Sequence, residues 1–130
     1  MTPTPTRVHI TDIRTVAVPV SDQDRALEFY RDRLGLETRI DMPYGDGQRW
    51  LEVVPAGATT SIALVPSQET NPAGMDTGIR VTTEDAEADH ATLQAMGVDV
   101  DPEVIQFPVP MFTLRDPDRN TLYVVQRQDG

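Results

Sequence analysis

The sequence predicts an α+β domain built from one β-α-β-β-β unit written twice. Three observations carry that expectation. Two alternating apolar stretches each lead into an acidic helix start and stop at a glycine, with equivalent positions offset by 63 or 62 residues. Three strand-like stretches follow each glycine. The 130 residues suffice for one domain with its own core and no covalent staples.

In the first half, Val16, Val18 and Val20 alternate with Ala17 and Pro19, the pattern of a half-buried strand. Ser21-Asp22-Gln23-Asp24 offers an N-cap and an acidic first turn. Leu27, Tyr30 and Leu34 recur at helical spacing, and Gly35 suits the left-handed residue that ends a helix. Strands are expected at about 37–42, 48–54 and 61–65, with turns at Gly45-Asp46-Gly47 and Pro55-Ala56-Gly57.

The second half repeats the order. Ile79 and Val81 alternate with Arg80 and Thr82. Thr82 or Thr83 is placed to cap, and Glu84 and Asp85 sit at the helix start. Ala86, Leu93 and Met96 share one side of a helix that ends at Gly97. Strands follow at about 98–104, 111–115 and 121–126, the last preceded by the turn Asp116-Pro117-Asp118-Arg119-Asn120. The modules are placed at 12–66 and 75–128, joined by a linker at 67–74. Residues 1–11 are read as a mobile tail, because alternating Pro favours extended backbone over Thr2–Thr6.

Composition narrows the function. Cysteine is absent, which removes disulfides, thiolate nucleophiles and Cys-ligated metals together. The formal net charge of −10 repels phosphates, so nucleic acid is not an expected partner. No apolar run approaches the roughly 20 residues that span a bilayer, and the N-terminus lacks a signal core, so no membrane association and a cytoplasmic location are expected.

The stretches VPVSDQDRALEFYRDRLGLE, RWLEV and DPDRNTLYVVQ resemble the vicinal oxygen chelate superfamily, which includes glyoxalase I, extradiol dioxygenases and bleomycin-resistance proteins. The resemblance covers nearly all of the chain after the tail. Its Asp-x-x-x-Ala-x-x-Phe-Tyr-x-x-x-Leu-Gly-Leu segment is the specific part. It implies paired βαβββ modules forming a curved mixed sheet around a cavity, with helices on the outer face. It also implies a homodimer, since family members commonly complete the cavity with a second chain. The turn departs from the family's DPDGN at one place, Arg119. If that residue takes positive φ, Arg costs about 1 kcal/mol relative to Gly; otherwise the turn differs or Asn120 takes the left-handed position.

Family enzymes hold a metal on the first and last strands of each module. Carried over one by one, those positions fall on Thr15, Gly78 and Tyr123, with the remaining one near Ala63. None is a usual ligand for a catalytic divalent ion. The two histidines, His9 and His90, occupy no converging position, and each is read as solvated or locally hydrogen-bonded. No metal and no other cofactor are expected.

Strand alternation selects faces. With Val16, Val18, Val20, Leu51, Val53, Ile79, Val81, Leu122 and Val124 under the helices, the other face carries Thr15, Trp50, Glu52, Arg80 and Tyr123. These five are the candidate ligand-binding residues, with Trp50, Glu52, Arg80 and Tyr123 expected to converge. Aromatic walls with two charges suit a ligand that has a flat apolar part and a polar group. The competing roles are core packing for Trp50 and a Glu52–Arg80 ion pair. The leading function is binding of a small molecule without the family's catalytic metal. The alternative is a lyase, isomerase or dioxygenase, either with relocated metal ligands or metal-free with Glu52 as base.

Overall fold

A computed structural model describes residues 7–128. The proposed extended stretch Thr2–Thr6 lies outside them. The first half runs β1 (Thr15–Val20), α1 (Gln23–Glu28) continued by a π-helical turn (Phe29–Arg33), β2 (Glu37–Gly45), β3 (Gln48–Val54) and β4 (Ser61–Pro66). The second runs β5 (Asp76–Thr83), α2 (Ala86–Ala95), β6 (Asp99–Val100), β7 (Met111–Arg115) and β8 (Thr121–Gln126). The strands form two open four-stranded mixed sheets, ordered β1-β4-β3-β2 and β5-β8-β7-β6. In both, the first and last strands of the module pair in parallel and the rest pair antiparallel.

The helix starts follow from local chemistry. Asp22 and Asp85 are the N-caps, accepting from the backbone N–H of Arg25 and Ala88. The expected caps Thr82 and Thr83 are displaced by Asp85. Thr83 instead accepts from the Asp85 N–H and bonds the Asp89 carboxylate. Gly35 and Gly97 end the two helical segments at φ 75° and 80°. From cap to glycine the first segment is one residue longer than the second, and the π-helical turn absorbs that residue while both ends stay in equivalent places.

Asp46 and Gly47 both take positive φ, as a tight hairpin turn between β2 and β3 requires. The strand expected at 98–104 shrinks to Asp99–Val100. There Pro102 removes a donor, and the chain next pairs only through Ile105 and Met111.

One apolar core draws on both sheets and both helices. It joins Val18, Leu51, Val53 and Ile62 to Phe112, Leu114, Leu122 and Val124, with Tyr30 and Leu93 from the helical segments. Met96 is an exception to the expected helix face: it caps α2 and is exposed. Since both sheets turn one face toward this shared core, alternation sends their other faces away from it.

The Asp116–Asn120 turn ties the halves together. Asp116 Oδ1 accepts from the backbone N–H of Asp118 and Asn120, and Asn120 donates to the Pro19 carbonyl at 2.8 Å. Tyr30 donates to Asp116 at 2.7 Å. Arg119 does adopt positive φ, 68°, so the strained alternative is the one the chain uses.

Candidate functional site

The outward face of the first sheet holds a carboxylate surrounded by donors. Glu52 on β3 is fully buried although it alternates with the core residues Leu51 and Val53. Its Oε2 accepts from Trp50 Nε1 at 2.6 Å and Arg14 Nη1 at 3.0 Å. Its Oε1 accepts from Arg39 Nη2 at 2.7 Å, Arg39 Nε at 3.1 Å and Ser61 Oγ at 2.8 Å. Thr15 on β1 lies opposite Ser61 on β4, and their hydroxyls are 2.9 Å apart. Thr15, Trp50 and Glu52 therefore belong to one cluster.

Burial alone would raise the Glu52 carboxyl pKa. The hydrogen bonds from Trp50, Ser61, Arg39 and Arg14 outweigh it and bring the value from 4.5 to about 2. A carboxylate that is ionised and surrounded by donors is a poor proton acceptor near neutral pH, so the site does not suit Glu52 to the role of general base.

Trp50 is not a core residue. It keeps 39% of its surface exposed, beside the exposed Met42 paired with it across β2 and β3. Its ring is fixed at one edge by Glu52 and is partly exposed.

Arg80 and Tyr123 lie on the other sheet. The Arg80 guanidinium sits 4.5 Å from the Tyr123 ring centroid and donates to the Gly78 carbonyl at 2.8 Å. Tyr123 donates to Asp76 at 2.7 Å, which raises the phenol pKa and lowers that of the carboxyl. The expected convergence of Trp50, Glu52, Arg80 and Tyr123 thus resolves into two pairs on two sheets. Among the described residues no hydrogen bond or ion pair links them. Nor does Arg80 neutralise Glu52; Arg14 and Arg39 do.

Sequence reasoning missed those two arginines for separate reasons. Arg14 precedes β1, outside any alternation. Arg39 occupies a bulge: Thr38 pairs with Val53 and Ile40 with Glu52, leaving Arg39 as the extra residue whose side chain turns to the Glu52 face. Arg115, held by Asp99 and Asp101, is a further missed charge on the second sheet.

The metal positions implied by the family hold no suitable donor set. Thr15 is bound to Ser61, Tyr123 to Asp76, and Gly78 lies at a strand irregularity with φ 68°. Among the described residues no three His, Asp or Glu side chains gather as a metal site. His9 is exposed. His90 is buried, its Nε2 2.6 Å from the Asp101 carbonyl and its ring edge-on to Phe112. These residues do not fit a catalytic metal.

A cavity of about 280 Å³ lies elsewhere, between the modules, lined by core residues such as Ile62, Leu93, Leu114 and Leu122. None of the five candidate residues lines it. The Trp50–Glu52 face is the candidate site because a buried charge and a partly exposed aromatic ring meet there.

The fold defines a protein of two βαβββ units. The chain belongs to the Glyoxalase/Bleomycin resistance protein/Dioxygenase superfamily, whose pattern matches residues 9–124. It is 37% identical to TnmS3, an antibiotic binding protein from Streptomyces sp. CB03234, with a TM-score of 0.81 over 94% of this chain and 100% of that one. A superfamily member from Sphaerobacter thermophilus DSM 20745 is 32% identical, with a TM-score of 0.81 over 92% and 100%. The Bacillus subtilis protein YetH is 42% identical over 57 residues, 44% of this chain and 48% of that protein, so the match spans about half the relative's length. Similarity to a lactoylglutathione lyase from Agrobacterium tumefaciens, at 20% identity and a TM-score of 0.71 over 92% and 96%, shows the fold alone. Among the described residues no helix is long and apolar enough to cross a membrane.

Proposed function

We propose that this protein binds a flat aromatic small molecule on its Trp50 face and holds it chemically unchanged, as a cytoplasmic homodimer without a catalytic metal. The observation that carries the reading is the state of Trp50. Its indole is oriented by a buried carboxylate while the residue stays partly exposed, which suits a stacking platform already set in position. The residue types at the family's metal positions, Thr15, Gly78 and Tyr123, and the donors that hold Glu52 ionised support binding without a metal. The likeness to an antibiotic binding protein points to the same kind of ligand.

The direction of the faces supports the dimer. Both sheets turn inward to one core, so within one chain the Trp50 face and the Arg80–Tyr123 face look apart. A second copy laying its Arg80–Tyr123 face over Trp50 closes the site and covers exposed apolar residues such as Met42 and Phe107. The five candidate residues are thereby united across two chains, with modules at 12–66 and 75–128.

The test is titration with planar antibiotics, phenazines and anthracyclines among them, following the fluorescence of Trp50, the single tryptophan. Saturable quenching that survives EDTA, with the compound recovered unchanged, supports the proposal. Conversion of the compound, or no quenching by any planar ligand, overturns it.

A further inference from the structure

The two arginines at Glu52 are not equivalent. Arg39 uses all three of its guanidinium nitrogens inside the protein: Nε and Nη2 on Glu52, Nη2 also on Ser61 at 2.6 Å, and Nη1 on the Thr59 carbonyl at 2.6 Å. Arg14 uses one. Its Nη1 reaches Glu52 and, at 2.9 Å, Thr15, while its side chain is 64% exposed. Among the described residues its Nε and Nη2 meet no acceptor.

Charge follows the same division. One carboxylate faces two guanidinium groups, so the cluster keeps one positive charge in excess, on a chain whose overall charge is −10. That excess sits beside the aromatic platform, because Arg14 Nη1 and Trp50 Nε1 bind the same oxygen, Glu52 Oε2.

We infer that Arg14 is an anion-recognition residue, and that the ligand stacked on Trp50 carries an acidic group, a carboxylate or an ionised phenol, on the edge facing Arg14. This deepens the reading of the site as one for a flat aromatic molecule and rests on it. Glu52 orients both elements, so that ring stacking and charge pairing occur at a fixed separation. A planar guanidinium with unused N–H groups pairs with carboxylate oxygens through two parallel hydrogen bonds, which a neutral amide cannot match. Arg39 is a positioning residue: it holds Glu52 and does not touch the ligand.

The experiment compares phenazine-1-carboxylate with phenazine-1-carboxamide, two planar molecules of nearly the same shape that differ in charge, by quenching of Trp50 at pH 7.5. The acid binds at least about ten-fold more tightly than the amide, and the difference shrinks as salt is added. Arg14→Gln removes the preference, so that acid and amide bind with equal affinity. Arg14→Lys restores part of the preference, as a charge without the planar fork. Equal affinity for acid and amide in the unmodified protein overturns the inference while leaving the binding reading intact. So does a preference that survives Arg14→Gln. If neither compound nor any other planar ligand quenches Trp50, the reading of the site fails and takes the inference with it.

Discussion

Trp50 and Glu52, two residues apart on one strand, are joined by a 2.6 Å hydrogen bond from the indole Nε1 to a carboxylate with no solvent exposure. Removing that charge leaves two guanidinium groups facing a neutral amide. We expect Glu52→Gln to destabilise the fold by on the order of 3 kcal/mol at pH 7. In the folded state this carboxyl titrates at about 2, below its ordinary value of 4.5, so its contribution is complete above the higher value. It is lost as pH falls from there through about 2. Denaturant midpoints of the two proteins should therefore differ clearly at pH 7 and draw together toward pH 2. A constant gap across that range would contradict the assignment.

Tyr30 and Asp116 form the corresponding link between the modules, at 2.7 Å. Burial first, and then the charge of Asp116, push the phenol pKa far above its ordinary value, so Tyr30 remains a donor throughout the usable range. Tyr30→Phe should reduce stability by about 2 kcal/mol and leave Trp50 quenching by ligands unchanged. A double-mutant cycle with Asp116→Asn checks this; additive effects would mean that the two residues act independently.

Arg119, itself exposed, holds positive φ in the Asp116–Asn120 turn. Arg119→Gly relieves that strain and gives up some unfolded-state rigidity, with an expected net gain of about 1 kcal/mol or less. A drop in melting temperature would show that the Arg119 side chain stabilises the turn in a way its backbone does not reveal.

The proposed homodimer is checked by light scattering at micromolar concentration, where twice the chain mass is expected. Replacing the exposed Phe107 and Met42 by charged residues should shift the mass toward the monomer only if those positions are covered in the dimer. A monomer at every concentration would leave the Trp50 face open and remove the second wall.

Much of this architecture was legible because each element carried its own local signal. Asp22 and Gly35 delimited the first helical segment, and the Val16–Val20 alternation named the core face. Strand alternation likewise placed Thr15, Trp50 and Glu52 together. It failed at Arg39, because a bulge breaks the period of two, and at Arg14, which lies outside any strand. Within one chain Trp50 and Arg80 lie on different sheets for another reason. Alternation tells which residues share a face, but the relative direction of two sheets depends on how both cover one core, a long-range result of packing that no local pattern encodes. The π-helical turn left a trace, the offset falling from 63 to 62 residues, but its meaning emerged only once both helix ends were located.

The central claim is that Trp50 is the platform for a ligand that the protein binds without altering. The most direct test is a crystal structure of the protein grown with a planar aromatic antibiotic. An intact ligand is expected with its ring plane about 3.5–4.0 Å from the Trp50 indole, enclosed by the Arg80–Tyr123 face of a second copy. A ligand lodged instead in the cleft between the modules, or one found chemically converted, would contradict it.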